Sequence, residues 1–417
     1  MSRWAAPAGA RASGRRQVAV IGAGIVGLSC AWRLVEQGHA VTVFDPDVAG
    51  GATHAAAGMV APASEAVFGQ DTLLATGLAA AREWPRFAAD LTGAGGQPVE
   101  LRPRATLLVA LDADDEASLA RHARHLERRN CPVERLSTRS ARRLEPALSP
   151  RVRGAVRLAE TAVDPRVVAR ALAHAVVAGG GAVVPLDVEP VVRAGRATGV
   201  RSRRATGVRV GPATAVRGVT QGTQGTQGTQ GTQGTVTYEA DVVVVAAGWA
   251  SAPLLRALGH AVPVRPLKGQ VLRLDATPGV LAHTVRATVR GREVYVVPRP
   301  GGEVVVGATS EDVGANTSVT AGAVHDLLHD AIEVVPELAE AGLRETTARL
   351  RPATADNLPL VGPTCVDGLL LASGHGRDGV LLAPVTADAV LAHVEGRPPP
   401  RAMEPLAARR LCQKEHP

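Results

Sequence analysis

The stretch from Val18 to Met59 constrains this chain more than any other part of it. Val18-Ala-Val-Ile21 is an apolar run of strand length that enters Gly22-Ala23-Gly24-Ile25-Val26-Gly27 without a break. A helical pattern follows from Leu28 to Gln37 and stops at Gly38, and Val41-Thr-Val-Phe44 then reads as a second strand ending in Asp45. Strand, glycine loop, helix, strand and acid in that order are far more specific than a lone Gly-x-Gly-x-x-Gly, which a chain with 45 glycines can produce by chance. Gly22 permits the tight turn out of the strand, Gly24 has no side chain to hold a pyrophosphate away, and Gly27 lets the helix pack close to the strand. The free N–H groups and dipole of the helix start favour the pyrophosphate. Asp45, about 20 residues beyond the glycines, stands where a carboxylate accepts hydrogen bonds from the adenosine ribose. The loop predicts a dinucleotide without choosing between NAD and FAD.

The next run, Gly50-Gly-Ala-Thr53-His54-Ala55-Ala56-Ala57-Gly58-Met59, tilts the choice, because small residues let a backbone lie against a flat ring system. In this run the chain resembles the D-amino-acid oxidase family of FAD enzymes, and within it the glycine oxidase branch, whose members carry Ala-Ala-Gly-Met where the chain lines the isoalloxazine. Three further segments carry the resemblance: Tyr295-Val-Val-Pro-Arg299 with Val306-Gly-Ala-Thr309, Leu350-Arg-Pro352 with Leu358-Pro-Leu-Val-Gly362, and Gly374-His-Gly-Arg-Asp-Gly-Val-Leu-Leu-Ala-Pro384. Residues 1–15 and a Thr-Gln-Gly repeat from Thr220 to Thr235 lie outside it.

The resemblance implies FAD held by Gly22, Ala23, Gly24, Ile25, Val26, Gly27, Asp45, Thr53, Ala56, Ala57, Gly58, Met59, Val188, Ala247, Gly248, Gly374, His375, Gly376, Arg377, Asp378, Gly379, Val380 and Leu381, and no metal. It implies oxidation of glycine or another small amino acid to the imine, with oxygen reduced to hydrogen peroxide and the imine supplying the thiazole of thiamine. D-Amino-acid or sarcosine oxidases and dehydrogenases of the family are the near alternative. Arg351 is the expected carboxylate clamp, since a guanidinium fork matches a carboxylate with two parallel hydrogen bonds. Tyr295 is the expected phenol beside it and Arg377 the third catalytic candidate, although a strand tyrosine commonly serves packing. Lys268 is read as a structural strand lysine that could instead assist oxygen, and Glu65 as an acid bracing its loop. Some relatives link flavin through a histidine immediately before Ala-Ala-Gly. Ala55 stands there and His54 one place too early, so the cofactor is expected to be non-covalent. Gly376, where relatives often carry an aromatic residue, and Arg349, where they carry a small one, depart from the pattern and are expected to reshape the pocket.

Composition narrows the rest. With 417 residues and 46% hydrophobic content, the chain can bury one large core or two interleaved ones. The net charge of +7 comes mostly from arginines interleaved with acids, without a basic stripe or stacking aromatics, which disfavours nucleic acid. A tRNA-modifying flavoenzyme is the alternative of another class. Four scattered cysteines form neither Cys-x-x-Cys nor zinc spacing, favouring a reducing, cytoplasmic setting. No apolar run approaches a membrane span. Relatives often form dimers or tetramers, so a homo-oligomer is implied. The fold class expected is α/β, α+β overall, with a doubly wound Rossmann-like FAD domain (16–85, 145–262 and 345–400) and a discontinuous, mainly antiparallel substrate domain (86–144 and 263–344). Tails are expected at 1–15 and 401–417, and the Thr-Gln-Gly tract, lacking apolar residues, as an exposed loop.

Overall fold

The computed structural model describes residues 14–94, 97–102, 105–203, 219–221 and 235–411. Gln17–Ile21 lies inside a six-stranded sheet, flanked in parallel by Ala40–Phe44 and Val242–Val245. Ala182–Val184 and Leu369–Ser373 extend the sheet in parallel, and Leu360–Pro363 closes one edge antiparallel. Successive side chains of a strand point to opposite faces. Val18, Val20, Val242 and Val244 therefore enter one core with helices Ile25–Glu36, Asp71–Gly93, Pro165–Ala178 and Ala383–Val394. Ala19, Ile21, Val243 and Val245 enter another, with the antiparallel strands Val188–Arg193, Arg196–Ser202 and Val236–Glu239. Pro165–Ala178 starts as its sequence predicts: Asp164 caps the N–H groups of Arg166 and Val167, and Pro165 occupies the first turn.

The second sheet has eight strands in the order Gly342–Ala353, Arg265–Asp275, Glu303–Gly307, Arg292–Pro298, Thr284–Val289, Thr106–Ala110, Gly154–Leu158 and Glu134–Leu136. Its register decides what faces the cofactor loop. Thr347, Val271, Gly307, Tyr295, Arg286 and Leu108 oppose one another in a row across six strands, so they share a face. Arg349 and Arg351, two and four places beyond Thr347, join that face. It packs Val271, Val297 and Val305 against Ala57 and Ala162. The opposite face, with Leu272, Val285, Val296, Val304 and Val306, is closed by Leu327, Ala331 and Val334 of helix Ala321–Val334.

Three expectations are corrected here. Gly342–Ala353 is one long strand paired along the whole of Arg265–Asp275, and Gly154–Leu158 also joins this sheet, so the antiparallel part runs past the expected boundaries at 345 and 145. Residues 401–411 are not a loose tail. They form two 3-10 turns that bury Met403 and Leu406, and Arg410 donates to the carbonyls of Pro359 and Leu358 at 2.6 and 2.7 Å. Cys30 and Cys131 are buried thiols, but Cys365 is disulfide-bonded, which a reading of reduced cysteines does not anticipate. Residues 1–13 and the Thr-Gln-Gly tract from 222 to 234 lie outside the described residues. Among the described residues no helix is long and apolar enough to cross a membrane.

Candidate active site

The glycine turn is built by contact as well as by conformation. Gly22 has φ +109, and a Cβ there would lie 2.4 Å from the Ala246 carbonyl oxygen, so only glycine fits. Helix Ile25–Glu36 begins at Gly24 with no capping side chain of its own, and the Ile25 N–H donates to Thr53 Oγ1 at 3.0 Å. Asp45 accepts the N–H groups of Ala23 at 2.6 Å and Asp47 at 2.8 Å. Burial pushes its carboxyl up while those N–H groups hold it down, and the net shift is upward.

A cleft of about 1030 Å³ leads from this turn to the second sheet. Gly22, Gly24, Ile25, Val26, Asp45, Thr53, Ala56, Ala57, Gly58, Met59, Val188, Ala247 and Gly248 line it, with His375, Gly376, Arg377, Asp378, Gly379 and Val380 from the loop after Leu369–Ser373. Tyr295 and Arg351 stand on the same wall. Four expected cofactor residues lie behind it. Ala23 is buried beneath the turn, and Gly27 faces Gly22, whose carbonyl oxygen would sit 2.0 Å from an added Cβ. Gly374 abuts Thr354, and the Leu381 carbonyl accepts the Trp84 indole N–H at 3.0 Å.

At the chemical end of the cleft, two glycines make room for two side chains. The Arg351 guanidinium lies across Gly269 of the neighbouring strand, where a Cβ would meet its carbon and both terminal nitrogens at 2.5 Å. One terminal N–H donates to the Thr309 carbonyl at 2.9 Å. The Tyr295 ring lies across Gly307, with its hydroxyl oxygen 2.4 Å from where a Cβ would be. Burial pushes the phenol's pKa up, opposed by the Arg351 charge, so it stays a neutral hydrogen-bond donor. Arg286, opposite Tyr295 on the next strand, pairs with Glu65 at 2.9 Å and lies 3.6 Å from Glu293. The Glu65 carbonyl accepts from Arg377 at 2.8 Å. Glu65 thus holds one arginine with its carboxylate and another with its backbone. The Arg349 Nε–H donates to the Gly50 carbonyl at 2.6 Å, fastening the sheet to the cofactor loop.

Other candidates stand apart. Lys268 is buried off the cleft wall and pairs with Glu311 at 3.1 Å, a structural position. His54 lies off the lining and faces Glu345 at 3.2 Å. Arg166 grips Glu345 with two bonds of 2.9 and 2.7 Å and holds its carboxyl at about 2. The His375 imidazole points to Thr386 at 3.0 Å, and burial pushes it down to about 4, so it is neutral at pH 7. Arg286, Gly269 and Gly307 were missed by sequence reasoning. The available signal was one charged residue in the β-branched run Thr284-Val-Arg-Ala-Thr-Val289.

A family model for FAD dependent oxidoreductases matches residues 17–393. The chain belongs to that family. The glycine oxidase of Geobacillus kaustophilus is 29% identical over 374 residues, covering 89% of this chain and 91% of that protein. Its crystal structure superposes with a TM-score of 0.81 at 27% identity, covering 97% of this chain and 100% of that one. The bifunctional protein ThiO/ThiG of Nostoc sp. is 30% identical over 374 residues, 89% of this chain but 51% of that protein, so the chain spans about half the length of this relative. The iminodiacetate oxidase of Chelativorans sp. BNC1 gives a TM-score of 0.78 at 27% identity over 94% of this chain and 98% of that one. The residues present in this FAD dependent oxidoreductase fit FAD. A helix start with no capping side chain of its own would face the pyrophosphate, Asp45 ends the second strand, and Ala55–Gly58 offers a bend of small residues on its way to the sheet.

Proposed function

We propose that this enzyme oxidises glycine or a similarly small amino acid or amine to the imine, with oxygen reduced to hydrogen peroxide, and that the imine feeds thiazole assembly for thiamine. FAD, when bound, supplies the acceptor for the hydride that leaves the substrate α-carbon. The chain supplies orientation and exclusion of water. Arg351 takes the substrate carboxylate in its fork, and the Tyr295 hydroxyl donates to the same group. Arg286, Glu65 and Arg377 form the far wall. One observation carries the reading: the guanidinium and the phenol are seated over two glycines, on the sheet face that turns toward Ala57 and Met59.

Anaerobic mixing of the yellow protein with glycine, sarcosine and D-alanine tests it. Glycine or sarcosine is expected to bleach the flavin, and air to restore the colour with peroxide released. No bleaching by any of the three overturns the reading, and colour that air fails to restore makes the enzyme a dehydrogenase. The names of the relatives support the substrate class, glycine oxidases above all.

Non-covalent FAD is part of the same proposal. His54, just before the bend, is held by Glu345, and Ala55 offers no nucleophile. Acid precipitation is expected to leave yellow FAD in the supernatant; colour confined to the pellet would contradict this.

A further inference from the structure

One buried carboxyl in the cleft is not used by the clamp. Asp378 is 6% exposed and lines the cleft. Among the described residues its carboxyl oxygens make no hydrogen bond and no ion pair within 4.0 Å. The cations that act on it are engaged elsewhere: Arg286 with Glu65 and Glu293, and Arg377 with the Glu65 carbonyl. A buried carboxylate without a donor is costly until a cation joins it. Its loop is fastened next to the clamp, because the Gly376 N–H donates to the Pro352 carbonyl at 2.8 Å, one residue from Arg351. An amino acid that gives its carboxylate to Arg351 still carries an ammonium. That group needs a counter-charge, and it must lose a proton before the nitrogen lone pair can assist departure of the α-hydride.

We propose that Asp378 is a catalytic residue that receives the ammonium of the bound amino acid and takes its proton, an inference that rests on the amino-acid oxidase reading above. In this step one N–H bond breaks and one O–H bond forms on the carboxylate. No electrons change hands. With FAD bound as hydride acceptor, the free amine would be the form able to give up its α-hydride and become the iminium.

The surroundings suit the task. Burial and the Glu65 charge push the Asp378 carboxyl up to about 7, opposed by Arg377 and Arg286. A base with a pKa near the working pH is the most effective. The charged groups that act on it are Glu65 in the loop after Met59, Arg377 beside it in its own loop and Arg286 on the facing strand. Glu160 holds the N–H groups of Ala63 and Ser64, and His122 meets the Ala63 carbonyl. Burial pushes Glu160 up, opposed by those N–H groups, and pushes His122 down, so the imidazole is neutral at pH 7. The working form is the carboxylate, so turnover rises with pH through about 7 and is lost below it.

The test compares the FAD-loaded wild type with Asp378→Asn and Asp378→Glu between pH 6 and 9. Flavin bleaching by glycine is followed anaerobically, together with spectral titration by glycine and by glycolate, which lacks the ammonium. Asp378→Asn is expected to keep FAD and to bleach roughly 100-fold more slowly at pH 7. It should recover about tenfold per pH unit as the substrate amine deprotonates itself, and bind glycolate as wild type does while losing any preference for glycine. Asp378→Glu should restore part of the rate. An Asn variant with the wild-type pH limb, or with the same loss at every pH, overturns the proposal. If glycine fails to bleach even the wild type, the oxidase reading falls instead. The glycine-over-glycolate preference then still decides the role of Asp378, and an unchanged preference in the Asn variant overturns it. Should that variant lose FAD, Asp378→Ser takes its place in the same measurements.

Discussion

Arg351→Ala is expected to keep FAD bound and to lower kcat/KM for the amino acid by roughly 10²–10⁴-fold. A hydrogen bond to a charged group contributes about 1.5–3 kcal/mol, a fork makes two of them, and each 1.4 kcal/mol is a factor of ten. The fold has little at stake: the side chain gives one bond to the Thr309 carbonyl, about 1 kcal/mol. Arg351→Lys keeps the charge without the fork and should recover only a small part of the rate. Gly269→Ala supplies an independent check. Its Cβ would occupy the space of the guanidinium, so FAD should stay while catalysis falls with Arg351 untouched in sequence. Stopped-flow bleaching at several glycine concentrations separates binding from chemistry. Wild-type kinetics in Arg351→Ala would remove the clamp.

The sequence made the dinucleotide half readable because its information is local. Val18 to Asp45 carries its own strand, turn, helix and acid at fixed spacing, and the structure forms them at Gln17–Ile21, Ile25–Glu36 and Ala40–Phe44. The chemical end is harder because it depends on register between distant strands. Lys268 and Gly269 are neighbours in the chain, yet Gly269 opens onto the cleft and Lys268 pairs with Glu311 off its wall. A shift of one residue would exchange them, and nothing within Pro266–Gln270 fixes the register. Arg286 was missed for the same reason: its partner Glu65 is remote in sequence. Glycines 269 and 307 look like ordinary strand interruptions until the side chain lying across each one is known. The burial of Met403 and Leu406 could not be read either, since a short turn has no periodicity to announce it.

Two glycines of one motif are expected to fail in different ways. In Gly27→Ala the new Cβ would lie 2.0 Å from the Gly22 carbonyl oxygen and 3.0 Å from its carbon. Both partners are backbone, so no rotamer relieves the contact, and helix Ile25–Glu36 must move away from strand Gln17–Ile21. Overpacking costs about 1–3 kcal/mol in an ordinary core, against a total stability of about 5–15 kcal/mol. The FAD-free protein should therefore melt about 1–4 °C lower, and the displaced turn should no longer bind FAD. Gly24→Ala is different. Its backbone, at φ −74 and ψ 176, admits alanine, and the added Cβ would meet only Thr53 Oγ1, at 3.3 Å. The FAD-free protein should melt as wild type does, while the methyl group stands where the pyrophosphate approaches and weakens FAD by at least about tenfold. Thermal melts without cofactor and fluorescence titration with FAD separate the two. Gly27 spaces the helix from the strand and Gly24 admits the ligand. A Gly27→Ala protein with wild-type melting, or a Gly24→Ala protein with wild-type FAD affinity, would show that the glycine loop does not work through these contacts.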